Sequence, residues 1–498
     1  MNKEYQRFIS LVNEIYSIKS AQALLGWDQE TMMPPRGGKS RAESSAVLSK
    51  VAQEKYCHPE LGELIETLQE AKDLSKEEQA NLREVKKDRD KLLKIPARLT
   101  QELAMTTSLA QQTWAEAMPK NDTSLFNPWL KKVFDLSREL AECLGYEQCP
   151  YDALLDQYEP EATAEEIAVI LADLKDKTVP LLQKITHSPV EPDRDLLTQS
   201  FPVQTQKMFN DMVLRDLGFQ LEAGRLDISA HPFTEGICPG DVRLTTRYNE
   251  HEVMGSISAT VHEGGHGLYE QGFSPVYYNT PMAEAVSLGI HESQSRLWEN
   301  QVGRGLPFWK NYFSKLKKVF PEQLAKSFLA DFHLALNEVK PSFIRVGADE
   351  VSYNLHIILR FEIEKDLFEG NLKIEDVEEA WNEKMKRLLG LSPDQARNGY
   401  LQDVHWSAGL IGYFPAYSLG NLYSAQLFNQ ARKDIQDLDE NIEKGDFYPL
   451  REWLRDRVHK HGRRYSPAEL VEKVTGEPPS SRHFADYITG KYTELYKL

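Results

Sequence analysis

Apolar residues recur three and four positions apart along most of this chain, and that spacing confines it to a mostly helical fold. Residues 3–30 place Phe8, Leu11, Ile15, Ile18, Ala21 and Leu25 on one stripe. Ser75–Ala110 is charged and helix-rich, and Pro96 breaks it because proline has no amide hydrogen for the helix ladder. Residues 163–188 open on Thr163 ahead of Glu165 and Glu166, then run Ile167, Ile170, Leu171 and Leu174, a capped amphipathic helix. Further helices are predicted over 320–337, 351–369, 374–390 and 464–475. Strand signal is confined to Phe219–Tyr248, where short β-branched and aromatic runs are cut by Gly and Pro. A small hairpin or sheet is expected there, with an edge strand able to pair with an extended peptide. Loops are expected at 187–205, 232–241 and 476–482, and the chain has no internal repeat or low-complexity tract. The predicted fold class is mostly α: one domain over 1–498, two helical lobes around a cleft, and a small β-sheet beside it.

A chain of 498 residues can bury a large core. Its net charge of −17 argues against nucleic acid as a partner, and equally against an anionic membrane surface. Cys57, Cys143, Cys149 and Cys238 form no disulfide framework and no zinc-finger spacing, so free thiols in a reducing compartment are expected. No secretory h-region and no run of eighteen apolar residues occurs, which makes the cytoplasm the expected location.

The chemistry concentrates at residues 261–270, VHEGGHGLYE. His262 and His266, four apart on a helix, share a face and can reach one metal ion, while the adjacent Glu263 can hold and activate a metal-bound water. Asn249 with Glu252 is the predicted N-cap, and Val253, Ile257 and Val261 the buried stripe. Gly264, Gly265 and Gly267 each cost such a helix about 1 kcal/mol relative to alanine, so backbone or substrate is expected to approach closely there. A third ligand must come from the helical segment 280–302, where Glu284, Glu292 and Glu299 are candidates that spacing does not separate.

The chain also carries HPF at 231–233, DVRLT at 241–245, HEGGH at 262–266, HES at 291–293, IRVGAD at 344–349 and GYLQDVHW at 399–406. In that order they resemble the carboxypeptidase Taq family of zinc metallocarboxypeptidases over nearly the whole chain. The resemblance implies Glu292, within HES, as third ligand. It implies a two-lobed helical fold like neurolysin and angiotensin-converting enzyme, with a deep groove. It also implies zinc as the usual metal with cobalt able to substitute, peptide substrates shortened one residue at a time from the C-terminus with broad specificity, resistance of a C-terminal proline, and a homodimer. The competing expectation is a metallo-oligopeptidase with the same zinc site and internal cleavage.

Hydrolysis also needs a donor for the oxyanion, and an exopeptidase needs a cation for the terminal carboxylate. The resemblance to related helical zinc peptidases suggests a C-terminal tyrosine and histidine for the first task. Tyr413 in GLIGYFPAY is the candidate, with Tyr417 one turn away, together with His405 or His231. Arg345 in IRVGAD, then Arg243 in DVRLT, suit the second, because a guanidinium fork matches a carboxylate; salt bridges to Asp349 or Asp241 are the competing roles. Asp349 and Asp403 are candidate supports for ligands or donors. His58, His187, His459, His461 and His483 are expected at the surface, Trp27 and Trp406 in the core, and the run at 86–91 on a solvated helix face.

Overall fold

The computed structural model describes residues 3–498. Helices account for most of the chain, and one three-stranded sheet is present among the described residues. Helix Lys3–Thr31 spans the first predicted stripe, of which Phe8 and Ile15 are buried, Leu11, Ile18 and Leu25 half-buried and Ala21 exposed, while Val12, outside the stripe, is buried too. Pro96 does separate two helices, Lys76–Lys94 and Ala97–Lys120. Helix Ala164–Thr186 begins with the predicted capping box, Thr163 accepting from the Glu166 amide while Glu166 reaches back. The prediction over 320–337 needs correction. That stretch is broken into Pro321–Leu324 and Leu329–Leu336, because the first helix stops at Ala325 and Phe328, extended at φ −100° and ψ 152°, starts the second anew; Phe320, preceding a proline, sets the first one's beginning.

The sheet comprises β1 (Gly224–Ile228), β2 (Thr234–Cys238) and β3 (Asp241–Thr246) in the order β1-β3-β2. β3 pairs parallel with β1 and antiparallel with β2, Thr234 opposing Leu244. β2 is therefore an edge strand. Helix Lys3–Thr31 lies near it, and the Ser20 hydroxyl donates to the Ile237 carbonyl at 2.9 Å.

Buried apolar side chains form two clusters. The smaller joins Phe8, Ile15, Leu61, Ile65 and Val85 from the N-terminal helices. The larger holds most of the remaining core and surrounds helices Val253–Gly272, Tyr353–Glu369 and Phe414–Asp434. Arg463 bridges the clusters through Glu84 (3.0 Å), Asp88 (2.9 Å) and Glu284 (3.2 Å). The run at 86–91 is thus not simply solvated: Asp88 holds Arg463, Lys87 meets Glu161 at 2.7 Å and Lys91 meets Asp156 at 2.6 Å. Trp27 and Trp406 are both buried. The four cysteines are free, and no described helix is long and apolar enough to cross a membrane.

Candidate metal centre

The HEGGH sequence lies in helix Val253–Gly272. Its N-cap is Glu252, which caps with no side-chain bond; Asn249 sits further back, its side chain accepting from the His251 amide. The glycines have a packing cause. A Cβ on Gly265 would stand 2.6 Å from the Gln294 carbonyl oxygen and 2.7 Å from Ser295 Cα. A Cβ on Gly267 would strike Phe219 and Leu244. The close approach is therefore to neighbouring protein, principally the backbone of helix Leu288–Arg296. On its other side this second helix meets Gly420, where a Cβ would lie 2.5 Å from Glu292 Cγ. Three helices are thus drawn together around one carboxylate.

That contact brings His262, His266 and Glu292 together with ligand atoms all within 4.8 Å of one another. Glu292 Oε2 is 3.8 Å from His262 Nε2 and 3.5 Å from His266 Nε2. Two imidazoles and one carboxylate, largely buried, form a nitrogen–oxygen donor set suited to a zinc-class divalent ion with an open position. The other two acidic candidates do different work. Glu299 Oε2 lies 2.9 Å from His262 Nδ1, the ring nitrogen facing away from Glu292, and so orients the imidazole. Glu284 pairs with Lys19 at 3.4 Å and with Arg463.

Arg296 completes this support, donating to Glu292 Oε1 at 2.6 Å and Glu299 Oε2 at 3.1 Å. Burial opposes ionisation of Glu292, but Arg296 and then His262 hold its pKa well below the usual carboxyl value. Burial is likewise outweighed at Glu299, where Arg296 and the His262 bond bring the pKa to about 2. At His262 burial works against the imidazolium, yet Glu292 and Glu299 raise the pKa to about 9. His266 goes the other way, to about 3, through burial and the neighbouring His291. The His291 ring stacks on His266 at 4.2 Å, and its Nε2 lies 2.9 Å from Glu270 Oε1.

Glu263 is 5 % exposed, and its Oε2 accepts from the Thr234 hydroxyl on β2 at 2.7 Å. Burial raises its pKa, opposed by His262 and that hydrogen bond. The sheet thus aims the glutamate, a role that neither Thr234 nor the HPF run announces in sequence.

The remaining predicted residues fall into separate settings. Tyr413 precedes helix Phe414–Asp434, with its ring 5.4 Å from that of His405 and 5.3 Å from that of Tyr417. The Tyr417 hydroxyl lies 3.3 Å from His405 Nε2. Burial raises the pKa of Tyr413, with the Glu292 charge next in weight. Burial lowers that of His405 to about 4, leaving a neutral ring. His231 is exposed; partial burial, then Arg247, Arg345 and His262, lower its pKa. Arg345 gives Nε and Nη2 to Asp403 Oδ1 (3.1 and 2.8 Å) and Nη1 to the Tyr353 hydroxyl (3.0 Å). Tyr353 in turn lies under Arg296, 4.9 Å from its ring centre. Arg243 closes a fork on Asp241, both bonds 2.9 Å, and stacks 4.3 Å from Trp27. Asp349 accepts from the Val351 and Ser352 amides and the Ser352 hydroxyl, a local turn rather than a pair with Arg345.

One surface expectation fails clearly. His459 is 1 % exposed, packed against Gly272 with Nε2 at 2.9 Å from Gln294 Oε1. His461 and His483 are half-buried, whereas His187 is exposed. Arg296 and Thr234 are assigned no role by the sequence, and His291 enters it only as the first residue of HES. Arg296 has a legible signal, four residues after Glu292 on a helix.

Comparison with known proteins agrees with this geometry. The profile of the carboxypeptidase Taq (M32) metallopeptidase family matches residues 7–492. Thermostable carboxypeptidase 1 of Thermus thermophilus is 44% identical over 504 residues, covering 99% of each chain. Carboxypeptidase 1 of Bacillus subtilis is 40% identical, again over 99% of each. Among solved structures, the M32 carboxypeptidase of Deinococcus radiodurans superposes with a TM-score of 0.98 at 36% identity over 100% of both chains. Metallocarboxypeptidase 1 of Trypanosoma cruzi gives 0.94 at 34% identity, over 98% of this chain and 99% of that one. With the family profile spanning nearly the whole sequence and the fold matched throughout, this chain belongs to the carboxypeptidase Taq (M32) family of metallopeptidases.

Proposed function

We propose that this enzyme is a zinc carboxypeptidase of broad specificity that releases single C-terminal residues from peptides. The observation that carries the proposal is the convergence of His262, His266 and Glu292, with Glu263 beside them in the same buried site. His262, His266 and Glu292 hold the ion, zinc by the donor set, with cobalt as a substitute. When bound, that ion polarises a carbonyl and lowers the pKa of water to about 7.

Glu263 takes the proton of the attacking water as its oxygen bonds to the carbonyl carbon, then delivers it to the leaving amine as the C–N bond breaks. Thr234 keeps that carboxylate aimed. Tyr413, with His405 or His231, supplies hydrogen bonds to the oxyanion; Tyr417 serves His405 instead, which favours Tyr413 of the two tyrosines. Arg345 receives the terminal carboxylate. It is nearer the site than Arg243 in its couplings, sharing Tyr353 with Arg296, whereas the Arg243 fork is closed by Asp241. The two apolar clusters support a two-lobed reading of the domain. The family resemblance supports a homodimer, with the mass in light scattering as its check, and the sequence's lack of a secretory h-region supports the cytoplasm as its location.

The test is metal analysis together with timed digestion of one peptide and its C-terminal amide. About one zinc per chain with stepwise shortening of the free acid alone is the expected result. Internal fragments from both peptides would make it an oligopeptidase instead.

A further inference from the structure

Behind Arg345 lies a buried group whose charges do not balance. Asp403 is its one hydrogen-bonded carboxylate, and two guanidiniums share it. Oδ1 takes Arg345, and Oδ2 takes Arg360 Nε at 2.7 Å. Arg360 is 0 % exposed, gives Nη1 to the His356 carbonyl at 2.7 Å, and stacks over Trp381 at 4.6 Å and Phe414 at 5.3 Å. Both guanidiniums stay protonated in proteins. The neighbouring histidines do not alter the sum, since burial lowers His356 to about 3 and His405 to about 4. The next carboxyl, Glu364, accepts from Tyr151, Trp406 and the Gly412 amide and from neither arginine. Two cations against one full anion leave an excess of positive charge, which Glu364, raised to about 7 by burial, offsets only in part, and burial makes that excess costly unless another anion arrives.

Arg345 is where that charge can be met. Its described bonds use Nε, one N–H of Nη1 and one of Nη2, so each terminal nitrogen keeps one N–H without a partner among the described residues. Its side chain is 7 % exposed, a narrow window rather than a sealed core. Tyr353 and Tyr417 flank it, and Arg296, stacked on the Tyr353 ring, links it to Glu292.

We infer that Arg360 is a specificity residue: by claiming half of Asp403 it leaves Arg345 short of one negative charge, and this shortage is what demands a free C-terminal carboxylate. Without Arg360, Asp403 would neutralise Arg345 alone, and a peptide acid would gain little over its amide. Arg360 does not touch substrate; it acts through Asp403. The inference rests on the proposed role of Arg345, and the experiment separates the two.

The test is kcat and KM for one peptide as acid and amide, with zinc content and thermal unfolding for each variant. Arg360→Gln keeps a donor for Asp403 but removes the charge. It should raise KM for the acid by ~10- to 100-fold, the worth of a charge-assisted hydrogen bond, with kcat changed little. Arg360→Gln/Asp403→Asn restores the charge count and should recover most of the preference for the acid. A purely structural role predicts instead that the double variant is the worse of the two, and that outcome overturns the inference. If Arg360→Gln loses zinc or fails to unfold cooperatively, Arg360→Lys is read in its place: it should keep the acid preference within about threefold, and a tenfold loss overturns the charge argument. Arg345→Met decides the underlying assignment. If it retains the acid preference, Arg345 is not the carboxylate site. If it loses that preference while Arg360→Gln keeps it, the Arg345 assignment stands and the Arg360 inference falls.

Discussion

Glu292 shows how little of a carboxylate's part is decided by its own chemistry. Three glutamates in one segment have the same side chain, yet one meets the histidines, one orients a histidine from behind, and one, in extended backbone, holds Arg463 instead. The distinction predicts different failures. Glu263→Gln should leave metal content unchanged while kcat falls ~10²- to 10⁴-fold, the usual contribution of a general base; a kcat within tenfold of the parent would remove Glu263 from the chemistry. Glu299→Ala should instead weaken zinc binding ~10- to 100-fold in a chelator competition, because His262 loses the partner that sets its orientation. Equal affinities would mean that Arg296 and packing orient the ring unaided.

At the scale of elements, two helices and a strand do the positioning. The motif helix and helix Leu288–Arg296 touch backbone to side-chain position at Gly265, and this contact sets the distance between the histidines and Glu292. Helix Leu288–Arg296 continues as a π-helical turn, Leu297–Val302, closed by the Gly303 amide on the Trp298 carbonyl at 2.8 Å. Such turns often mark functional sites, and this one carries Glu299. Gly265→Ala should therefore act on both stability and metal. Overpacking of this kind costs ~1–3 kcal/mol, visible as a lower denaturation midpoint. Zinc affinity should fall with it, since the helices cannot separate without moving Glu292. Loss of stability with unaltered zinc affinity would show that the strain relaxes elsewhere.

Across the whole molecule, buried carboxyls knit distant segments. Glu364 receives Tyr151, Trp406 and the Gly412 amide, and Glu159 receives Tyr423 and the Gly289 amide. Burial raises each to about 7, despite these donors. A folded pKa above the ordinary 4.5 means that the folded state binds the proton more tightly than the unfolded one. The contribution is full below about pH 4.5 and is lost as pH rises through about 7. Comparing the protein with Glu364→Gln, the stability difference should shift against the parent by on the order of 2–3 kcal/mol between pH 5 and pH 8. Parallel stability curves for the two proteins would show that Glu364 titrates as an ordinary carboxyl.

The sequence by itself determined what depends on near neighbours. Helical periodicity, the break at Pro96, the capping box at Thr163 and the shared face of His262 and His266 all rest on contacts within a few residues. The family resemblance rests on local motifs too. Tertiary structure decided the rest, because it depends on which backbones meet. The Gly265 approach, the Thr234 hydroxyl on Glu263, the burial of His459 and the pairing of Asp403 with two arginines join residues that are distant in the chain. Chain spacing carries no trace of those distances, and a buried charge has meaning only once its partners are counted.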